Sequence, residues 1–384
     1  MLPDDVLLEM FDIYVVEAIA AYEELKDQME AWQKLVHVCR RWRSVVFGSP
    51  RRLNLQLVCA AKASARDTLD VWPSLPLVID DDNCQKEGLI ALLERSEIVS
   101  RICQIELWKV RLEDSLEVME VPFPELTYLL LNSDETEPVV PLSDSFLGGY
   151  TPRLRYLHFE CIPFPGLPKL LLSATHLTNL RLYHIPHSGY ISPEAMVACL
   201  SLLTSLGVLC LGFKSPQSRP DQESRHPPPS TRTVLSVLKH FSFRGVDEYL
   251  EDLVARIDAP RLNSFKVTFF NDIVFDTPQV TQFISRTPQL ETLDKASVFL
   301  WDLCTTIELS SETFGDGELS VRVLCEELDW QVSSLEQVFT SSLPPLSALE
   351  DLYIINHRSP RNWGDLSRKA LRSSLPRDRL PVTQ

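Results

Sequence analysis

The sequence predicts an α/β fold, in which a helical N-terminal segment precedes a curved, right-handed solenoid of alternating strands and helices. Three observations carry this prediction. Two stretches between residues 2 and 55 place apolar residues at helical spacing. Beyond them, a six-residue apolar pattern recurs at intervals of twenty-odd residues. Stretches with helical periodicity separate many of these copies, so each strand is expected to be followed by a returning helix.

The first amphipathic stretch begins at Pro3, which suits the first turn of a helix because its missing N–H would be unpaired there. Asp4 and Asp5 follow, where the helix dipole favours carboxylates. Apolar residues then recur at spacings of three and four, which predicts one apolar stripe along the helix. The stripe consists of Val6, Leu7, Met10, Phe11 and Tyr14.

The second amphipathic stretch has one apolar and one basic face. Its apolar face carries Leu35, Val38, Cys39, Trp42, Val45 and Val46, and its basic face carries Lys34, Arg40, Arg41 and Arg43. Residues 15–31 connect the two stretches and are themselves acidic and helical in pattern. Both short helices are too apolar on one side to stand alone, so another surface must cover them.

The two stretches together resemble an F-box. The resemblance rests on Leu2-Pro3-Asp4-Asp5-Val6-Leu7 and, further on, Val38-Cys39-Arg40-Arg41-Trp42-Arg43. It implies binding to a Skp-type adaptor and, through it, to a cullin-based ubiquitin ligase. The connector departs from the family pattern, in which it is short. The adaptor contacts that the resemblance implies are Leu2, Pro3, Leu7, Phe11, Val38 and Trp42.

After the helical segment, the core Leu-x-x-Leu-x-Leu recurs with apolar substitutes. The first seven copies start 24, 28, 23, 29, 32 and 24 residues apart, and an eighth follows a long gap in which 290–293 and 319–324 look like decayed copies. This spacing is typical of leucine-rich repeats, with strands on the concave side and helices on the convex side. The copies are Ile102–Leu107, Leu126–Leu131, Leu154–Phe159, Leu177–Leu182, Leu206–Leu211, Leu238–Phe243, Leu262–Val267 and Leu349–Ile354.

The succession of motifs is similar to a large group of fungal F-box proteins with irregular leucine-rich repeats. We therefore expect an F-box over residues 1–55, a repeat domain over 56–357 and a basic tail over 358–384. Helices are predicted over 112–120, 166–173, 192–205, 246–257, 277–286 and 332–341. Residues 214–233 contain five prolines and no aliphatic side chain, which predicts a mobile loop. The Pro227–Pro229 run could alternatively bind an aromatic groove.

Within each strand the residues between the leucines are expected to point onto the concave face, where a protein substrate would bind. The central strands combine aromatic, charged and amide side chains, a composition found at recognition surfaces; strand propensity alone is the other explanation. The substrate-binding candidates are Trp108, Tyr128, Leu130, Tyr156, His158, Asn179, Arg181, Tyr183, His240 and Lys266, and the same face includes Gln104, Glu106, Glu160, Ser264, Asp351 and Tyr353.

The net charge and the cysteine content indicate which partners and which compartment to expect. A net charge of −16 argues against nucleic acid or anionic lipid as the main partner. Nine scattered cysteines without a CxxC motif, and no signal peptide before Leu2, predict a reducing compartment, the cytoplasm or the nucleus. Residues 196–213 carry no charge and reach the lower limit for a membrane span, but Ser192 and Pro193 favour a buried helix followed by a strand.

No enzyme motif or cofactor site is expected. The sequence has no GxGxxG, P-loop, HExxH or GxSxG, and Gly148-Gly149 and Gly315-Asp-Gly317 lack the setting of a phosphate cradle. His184 and His187 have a metal-like spacing but no neighbouring Cys or carboxylate in the sequence, so ordinary loop histidines are favoured over a zinc site. Asp80–Asp82 is interpreted as a solvated turn rather than a calcium loop.

Three functions fit these observations. The chain could be the substrate-recognition subunit of a Skp–cullin–F-box ubiquitin ligase, or an F-box scaffold that binds the adaptor without supporting ubiquitin transfer. It could also be a repeat-domain ligand sensor whose N-terminal helices only cap the first repeat. The joint occurrence of Leu2-Pro3 with Val38-Cys39 and Trp42 favours the first, because capping does not require those residues.

Overall fold

The protein is seen here as a computed structural model that describes residues 2–21, 31–50, 52–59, 74–80, 93, 95–108, 117–133, 141–216, 231–270, 277–291, 293–311, 317–325, 327–337 and 351–357. The chain divides into two compact units, Met1–Phe159 and Glu160–Gln384. Both contain mostly parallel strands and helices, so the prediction of the α/β class is confirmed.

The helices alternate with strands after an all-helical start. They are α1 Asp4–Ala21, α2 Trp32–Val36, α3 Arg40–Gly48, α4 Ser96–Val99, α5 Leu167–Leu171, α6 Pro193–Leu200, α7 Asp247–Val254, α8 Pro278–Ser285, α9 Pro288–Glu291 and α10 Leu328–Gln337. Three 3-10 turns cover Glu117–Glu120, Phe146–Gly149 and His187–Gly189.

The strands are short, and most coincide with the predicted copies. They are β1 Leu57–Cys59, β2 Leu77–Asp80, β3 Ile102–Leu107, β4 Tyr128–Asn132, β5 Tyr156–Glu160, β6 Asn179–Ile185, β7 Val208–Phe213, β8 Thr233–Val234, β9 His240–Gly245, β10 Ile257–Asp258, β11 Ser264–Phe269, β12 Lys295–Leu300, β13 Cys304–Ser310, β14 Glu318–Leu324 and β15 Asp351–Asn356.

In the first unit the strands follow the order β1-β2-β3-β4-β5, and the pairs from β1 to β4 are parallel. The N-terminal helices belong to this unit together with the first strands. The segment that follows α3 packs beside these helices. Leu53 and Leu55 are buried, and the Trp32 indole N–H donates to the Gln56 carbonyl at 3.0 Å.

In the second unit the strand order is β6-β7-β9-β11-β14-β13-β12-β15, and β8 pairs with β10 separately. The pairing keeps equivalent repeat positions side by side: Leu180 lies opposite Leu209, Leu209 opposite Phe241, and Phe241 opposite Phe265. This register places the apolar side chains of neighbouring strands on the same, buried face of the sheet. A slip of one residue would turn the apolar side chains of a strand to solvent.

The three apolar positions of all seven regularly spaced copies, which start at residues 102, 126, 154, 177, 206, 238 and 262, are buried, as predicted. Helices of the second unit cover this face. Tyr249 of α7 packs on Phe213 at 4.8 Å between ring centroids, and Phe283 of α8 packs on Phe265 at 5.4 Å. We call the opposite face, which carries the residues alternating with these buried positions, the outer face of each unit's sheet.

Hydrogen bonds to helix ends join neighbouring repeats in the second unit. The buried Glu251 carboxylate accepts from the backbone N–H groups of Gln279 at 2.9 Å and Val280 at 2.8 Å, which caps the start of α8. The Arg286 guanidinium at the other end of α8 donates to Asp258 at 2.8 Å and to the Val254 carbonyl at 3.3 Å. The helix-covered side is therefore fixed by polar contacts as well as by apolar packing.

The region after β11 departs from a uniform parallel array. β13 is antiparallel to both β12 and β14, whereas β14 is parallel to β11 and β15 is parallel to β12. The predicted copy at 319–324 is β14, but Leu290 lies in α9 rather than in a strand. A parallel return needs a connection of about a dozen residues or more. Residues 301–303 between β12 and β13 are too few, so they form a hairpin.

The uncharged stretch 196–213 forms the end of a helix followed by a strand, as favoured from the sequence. The Ser192 hydroxyl accepts from the Ala195 N–H at 3.2 Å and starts α6, which has Pro193 in its first turn. After a turn, the chain enters β7. No helix within the described ranges has the length and apolar character to cross a membrane.

Candidate functional site

Four aromatic side chains form two contacting pairs among the N-terminal helices. Phe11 of α1 packs on Trp42 of α3 with ring centroids 4.7 Å apart, and Trp32 of α2 contacts Phe47 of α3 at 5.9 Å. Phe11 and Trp32 are almost completely buried, whereas Trp42 is half-buried. The helices thus form a small core of their own.

Polar contacts fix the ends of α1 and α3 to each other. The Arg41 guanidinium donates to the Asp4 carboxylate, at 3.1 Å from Nε and 2.7 Å from the terminal nitrogen, and also to the carbonyl of Leu2. Cys39 caps α3, since its Sγ accepts from the Trp42 N–H at 3.5 Å. The Leu2-Pro3 segment is therefore held beside the first turn of α3.

One face of α1 remains an exposed apolar row. We define the α1 row as five side chains at spacings of three and four residues, which repeat along one side of a helix. Each is between 42% and 60% exposed, and Val38 just before α3 is also exposed, at 58%. The members of the α1 row are Leu2, Val6, Met10, Ile13 and Val16.

Some of the predicted adaptor contacts are accessible to solvent, and others are buried. Leu2, Pro3 and Val38 are exposed and Trp42 is half-buried. Leu7 and Phe11 are buried in the first unit, and their contact with a partner stays a prediction. The sequence pattern missed Ile13 and Val16, because apolar residues are distributed around α1 and their periodicity does not identify the inward side.

The outer face of the first unit carries an aromatic pair on adjacent strands. Tyr128 of β4 and Tyr156 of β5 stack with their centroids 4.3 Å apart and their planes 3° from parallel. Both rings are half-exposed. Trp108 is exposed after β3, and its indole N–H donates to Glu106 at 3.1 Å.

Two other predicted residues of this face are not accessible. Leu130 and His158 are both buried in this structure, and their contact with a substrate stays a prediction. Each lies two residues beyond one of the stacked tyrosines on the same strand, and the His158 ring centroid is 6.4 Å from that of Tyr156.

The outer face of the second unit is mainly polar. Asn179, Arg181 and Tyr183 of β6 are half-exposed, and His240 and Lys266 are exposed, as are Asp351 and Tyr353 of β15. Lys266 Nζ is 2.8 Å from Glu318, whose other oxygen accepts from Ser264 at 3.2 Å. Ser264 is itself buried and is therefore not a direct contact residue.

A group that the sequence did not indicate lies at the end of β6. His184 has a positive φ of 51°, and the β6–β7 register shifts here, so the period of two is broken. Its Nδ1 is 3.2 Å from Glu160, and its Nε2 is 3.1 Å from the Arg244 guanidinium. Since guanidinium can only donate, Nε2 accepts and the ring hydrogen lies on Nδ1, facing Glu160.

The metal-like motifs gain no support. Within the described ranges, no group of three or more His, Cys, Asp or Glu side chains is arranged to hold a metal ion. His184 instead takes part in the group with Glu160 and Arg244. Residues 81 and 82 of the acidic turn, and residues 217–230 of the proline-rich loop, lie outside the described residues.

The cysteine side chains described in these units are free thiols, and most are buried. Burial raises the pKa of Cys103 to about 11, with a smaller contribution in the same direction from the Glu125 carboxylate. Burial alone raises the pKa of Cys199 to about 11. Both thiols therefore remain protonated at neutral pH and act as small apolar side chains, not as nucleophiles.

Comparison of the chain with family models, curated proteins and solved structures finds no match.

Proposed function

We propose that the chain is a non-catalytic substrate-recognition subunit of a Skp–cullin–F-box ubiquitin ligase. In this proposal the N-terminal helices are an F-box that binds a Skp-type adaptor. The strand repeats form a leucine-rich-repeat-like solenoid, and their outer faces form the concave surface that binds a protein substrate. No cofactor, metal or nucleic acid takes part, and the site of action is the cytoplasm or the nucleus.

The observation that carries the proposal is the α1 row. Four apolar side chains at helical spacing in α1, together with Leu2 just before it, are between 42% and 60% exposed. Scattered exposed aliphatic residues need no explanation, but a continuous stripe marks an interaction surface. A partner must therefore supply the second apolar surface.

The position of the row favours an F-box over a simple cap. A cap needs one apolar face to bury, and the buried side chains of Leu7, Phe11 and Trp32 already provide it. The α1 row is left over once that core is complete. Arg41 also holds Leu2-Pro3 next to α3, and Leu2-Pro3 and Val38-Cys39 are the parts of the motif that capping does not require.

Binding of the full chain to a purified Skp-type adaptor tests the proposal. We expect the double substitution Val6→Glu with Met10→Glu to weaken adaptor binding by about 100-fold or more, because two buried charges would lack partners in an apolar interface. The matched control is Leu202→Glu, an exposed aliphatic residue of the second unit. Equal adaptor affinity for the double variant and the wild type would overturn the assignment of the α1 row.

Binding of a cullin distinguishes a ligase subunit from an F-box scaffold without ligase function. If the adaptor complex of this chain also retains a cullin, and the chain stimulates ubiquitin transfer to a protein it captures, the substrate-recognition role holds. Adaptor binding without cullin retention would favour the scaffold.

A further inference from the structure

β15 lies at one edge of the sheet of the second unit. It pairs with β12, and among the strands that the structure describes none pairs with its other side. Such an edge presents backbone N–H and C=O groups that can pair with another strand, and natural sheets usually prevent this with lysine, proline or a bulge. β15 has none of these features, and its single charged residue is the first one, Asp351.

Three apolar side chains in the centre of β15 are exposed. Tyr353 is 46% exposed, Ile354 37% and Ile355 38%. Successive side chains of a strand point to opposite faces, so Ile354 lies on one face of the sheet and Tyr353 and Ile355 lie on the other. β15 is therefore accessible on both faces as well as along its edge.

Hydrogen bonds to β12 show which backbone groups of β15 point towards the edge. The Asp351 N–H donates to the carbonyl of Asp294 at 3.5 Å, and the His357 N–H donates to the carbonyl of Leu300 at 2.8 Å. Backbone groups of successive strand residues point to alternate sides. The odd-numbered residues of β15 thus face β12, and the N–H and C=O groups of Ile354 point away from it.

We propose that β15 pairs in antiparallel orientation with β15 of a second copy of this chain and forms a weak homodimer. The two-fold axis passes beside Ile354, whose N–H and C=O exchange two hydrogen bonds with those of Ile354 in the second copy. The same segment supplies both sides of such an isologous contact, so it must be complementary to itself. This inference goes beyond the proposed function and does not depend on it.

The side chains of β15 match one another in this register. Tyr353 of each copy lies beside Ile355 of the other, and a pair of an aromatic and a β-branched side chain stabilises antiparallel strands. Ile354 lies beside its own counterpart on the opposite face. Asp351 lies beside His357, whose imidazole can donate a hydrogen bond to the carboxylate. A register centred on Tyr353 would instead place the Asp351 carboxylate beside Ile355.

Both members of the polar contact are positioned by neighbours in their own chain. The His357 ring stacks on Trp301, with centroids 4.1 Å apart and planes 13° from parallel. The Asp351 carboxylate lies 3.9 Å from Lys295 Nζ and remains 49% exposed, so it can accept a further hydrogen bond. Groups that are oriented before binding lose less conformational entropy in the complex.

The mass of the full chain as a function of concentration tests the proposal. One pair of six-residue strands is smaller than a standard interface, so we expect a dissociation constant of about 10–100 µM and single copies in dilute samples. In sedimentation equilibrium the mass should rise from 43.8 kDa towards twice that value as the concentration is raised. A mass that stays at one chain up to about 300 µM would overturn the proposal and leave this edge to another segment of the chain or to another protein.

A charge at the two-fold axis should prevent the pairing. Ile354→Lys should weaken dimerisation at least about 30-fold, because it places two like charges directly opposite each other. The matched control is Leu303→Lys, which changes a 64% exposed aliphatic residue between β12 and β13 and should dimerise as the wild type does. Unchanged dimerisation by a folded Ile354→Lys variant would refute the assignment.

Cross-linking tests the register even if Ile354→Lys does not fold. In a hydrogen-bonded antiparallel pair the two Cα atoms are about 5.5 Å apart, within the range that a disulfide spans. Ile354→Cys should therefore form a disulfide-linked dimer under mild oxidation, as a non-reducing gel would show, whereas Leu303→Cys should not exceed the wild-type level. A cross-linked fraction of Ile354→Cys no greater than that of the wild type would overturn the proposed pairing.

Adaptor binding separates this inference from the proposed function. Ile354→Lys should bind the Skp-type adaptor as the wild type does, since β15 and the α1 row belong to different units. If the wild type dimerises through β15 but does not bind the adaptor, the dimer stands and the ligase role fails.

Discussion

Arg41 joins the start of α3 to the start of α1 through Asp4, with the Asp4 Oδ1 oxygen 2.7 Å from an Arg41 terminal nitrogen. The same guanidinium donates to the Leu2 carbonyl, so one side chain positions the Leu2-Pro3 segment. The pair is substantially exposed, with side-chain exposures of 35% and 63%, and solvent screens its charge interaction. The main effect of the pair is therefore to fix the position of the Leu2-Pro3 segment.

We expect Arg41→Ala to change thermal stability little, by less than about 1 kcal/mol, and to weaken adaptor binding about tenfold because Leu2 and Pro3 are released. The matched control is Arg52→Ala, which removes a comparable exposed pair with Glu9 of α1 but leaves Leu2 in place. Calorimetric titration with the adaptor measures both variants. Equal losses for the two would show that Arg41 has no special positioning role.

Trp42 combines an internal and an external contact. Its ring packs on Phe11 and it is half-buried, so part remains available to a partner. Trp42→Ala should weaken adaptor binding by about 2–4 kcal/mol, or roughly 30- to 1000-fold. Circular dichroism must show that the helices remain folded; undiminished affinity in a folded variant contradicts the F-box assignment.

The Glu251 carboxylate provides a stability test of the second unit. Glu251→Ala would leave two backbone N–H groups at the start of α8 without their acceptor, at a cost of about 2–4 kcal/mol in the free energy of unfolding. Glu291→Ala, an exposed glutamate at the end of α9, is the control and should cost less than about 0.5 kcal/mol. Chemical denaturation compares the two.

The buried thiols of Cys103 and Cys199 predict that the stability of the fold depends on pH. Their pKa of about 11 lies above the ordinary value of 9.0. As the pH rises past 9, the unfolded chain loses these protons before the folded chain does, so they reduce folded-state stability between pH 9 and 11. At pH 8 iodoacetamide should label the exposed Cys39 and spare Cys103 and Cys199, as mass spectrometry would show. Fast labelling of the buried pair would contradict their placement.

Tyr156 and Arg181 lie on the outer faces of the first and the second unit respectively, and both are half-exposed. We expect Tyr156→Ala with Arg181→Ala to abolish capture of protein substrates while adaptor binding remains unchanged. Loss of the stack between Tyr128 and Tyr156 should cost about 1 kcal/mol of stability. Recovery of the same proteins by the variant and the wild type, in affinity purification with mass spectrometry, would exclude both residues as substrate contacts.

Much of the fold could be predicted because the repeated motif indicates which residues of neighbouring strands lie side by side. Leu180, Leu209 and Phe241 occupy the same position of successive copies, and they are adjacent and buried. The start of α6 could likewise be predicted from Ser192 and Pro193. In these regions local pattern and tertiary packing require the same residues.

Other features depend on information that no local pattern contains. The inward side of α1 is decided by packing of Phe11 on Trp42, since Val6, Met10 and Ile13 are equally apolar. β12 and β13 pair in antiparallel orientation because the connection between them is short, and no leucine motif indicates this pairing. The backbone bulge at His184 adds a residue to the strand and brings it to Glu160 and Arg244.

The most direct measurement is the mass of the complex formed when the full chain, a purified Skp-type adaptor and a cullin are mixed, by size-exclusion chromatography with light scattering. We expect one species with one copy of each protein, which disappears when the chain carries Val6→Glu with Met10→Glu. Elution of the wild-type chain apart from the adaptor, under conditions in which adaptor and cullin bind each other, would contradict the proposed function.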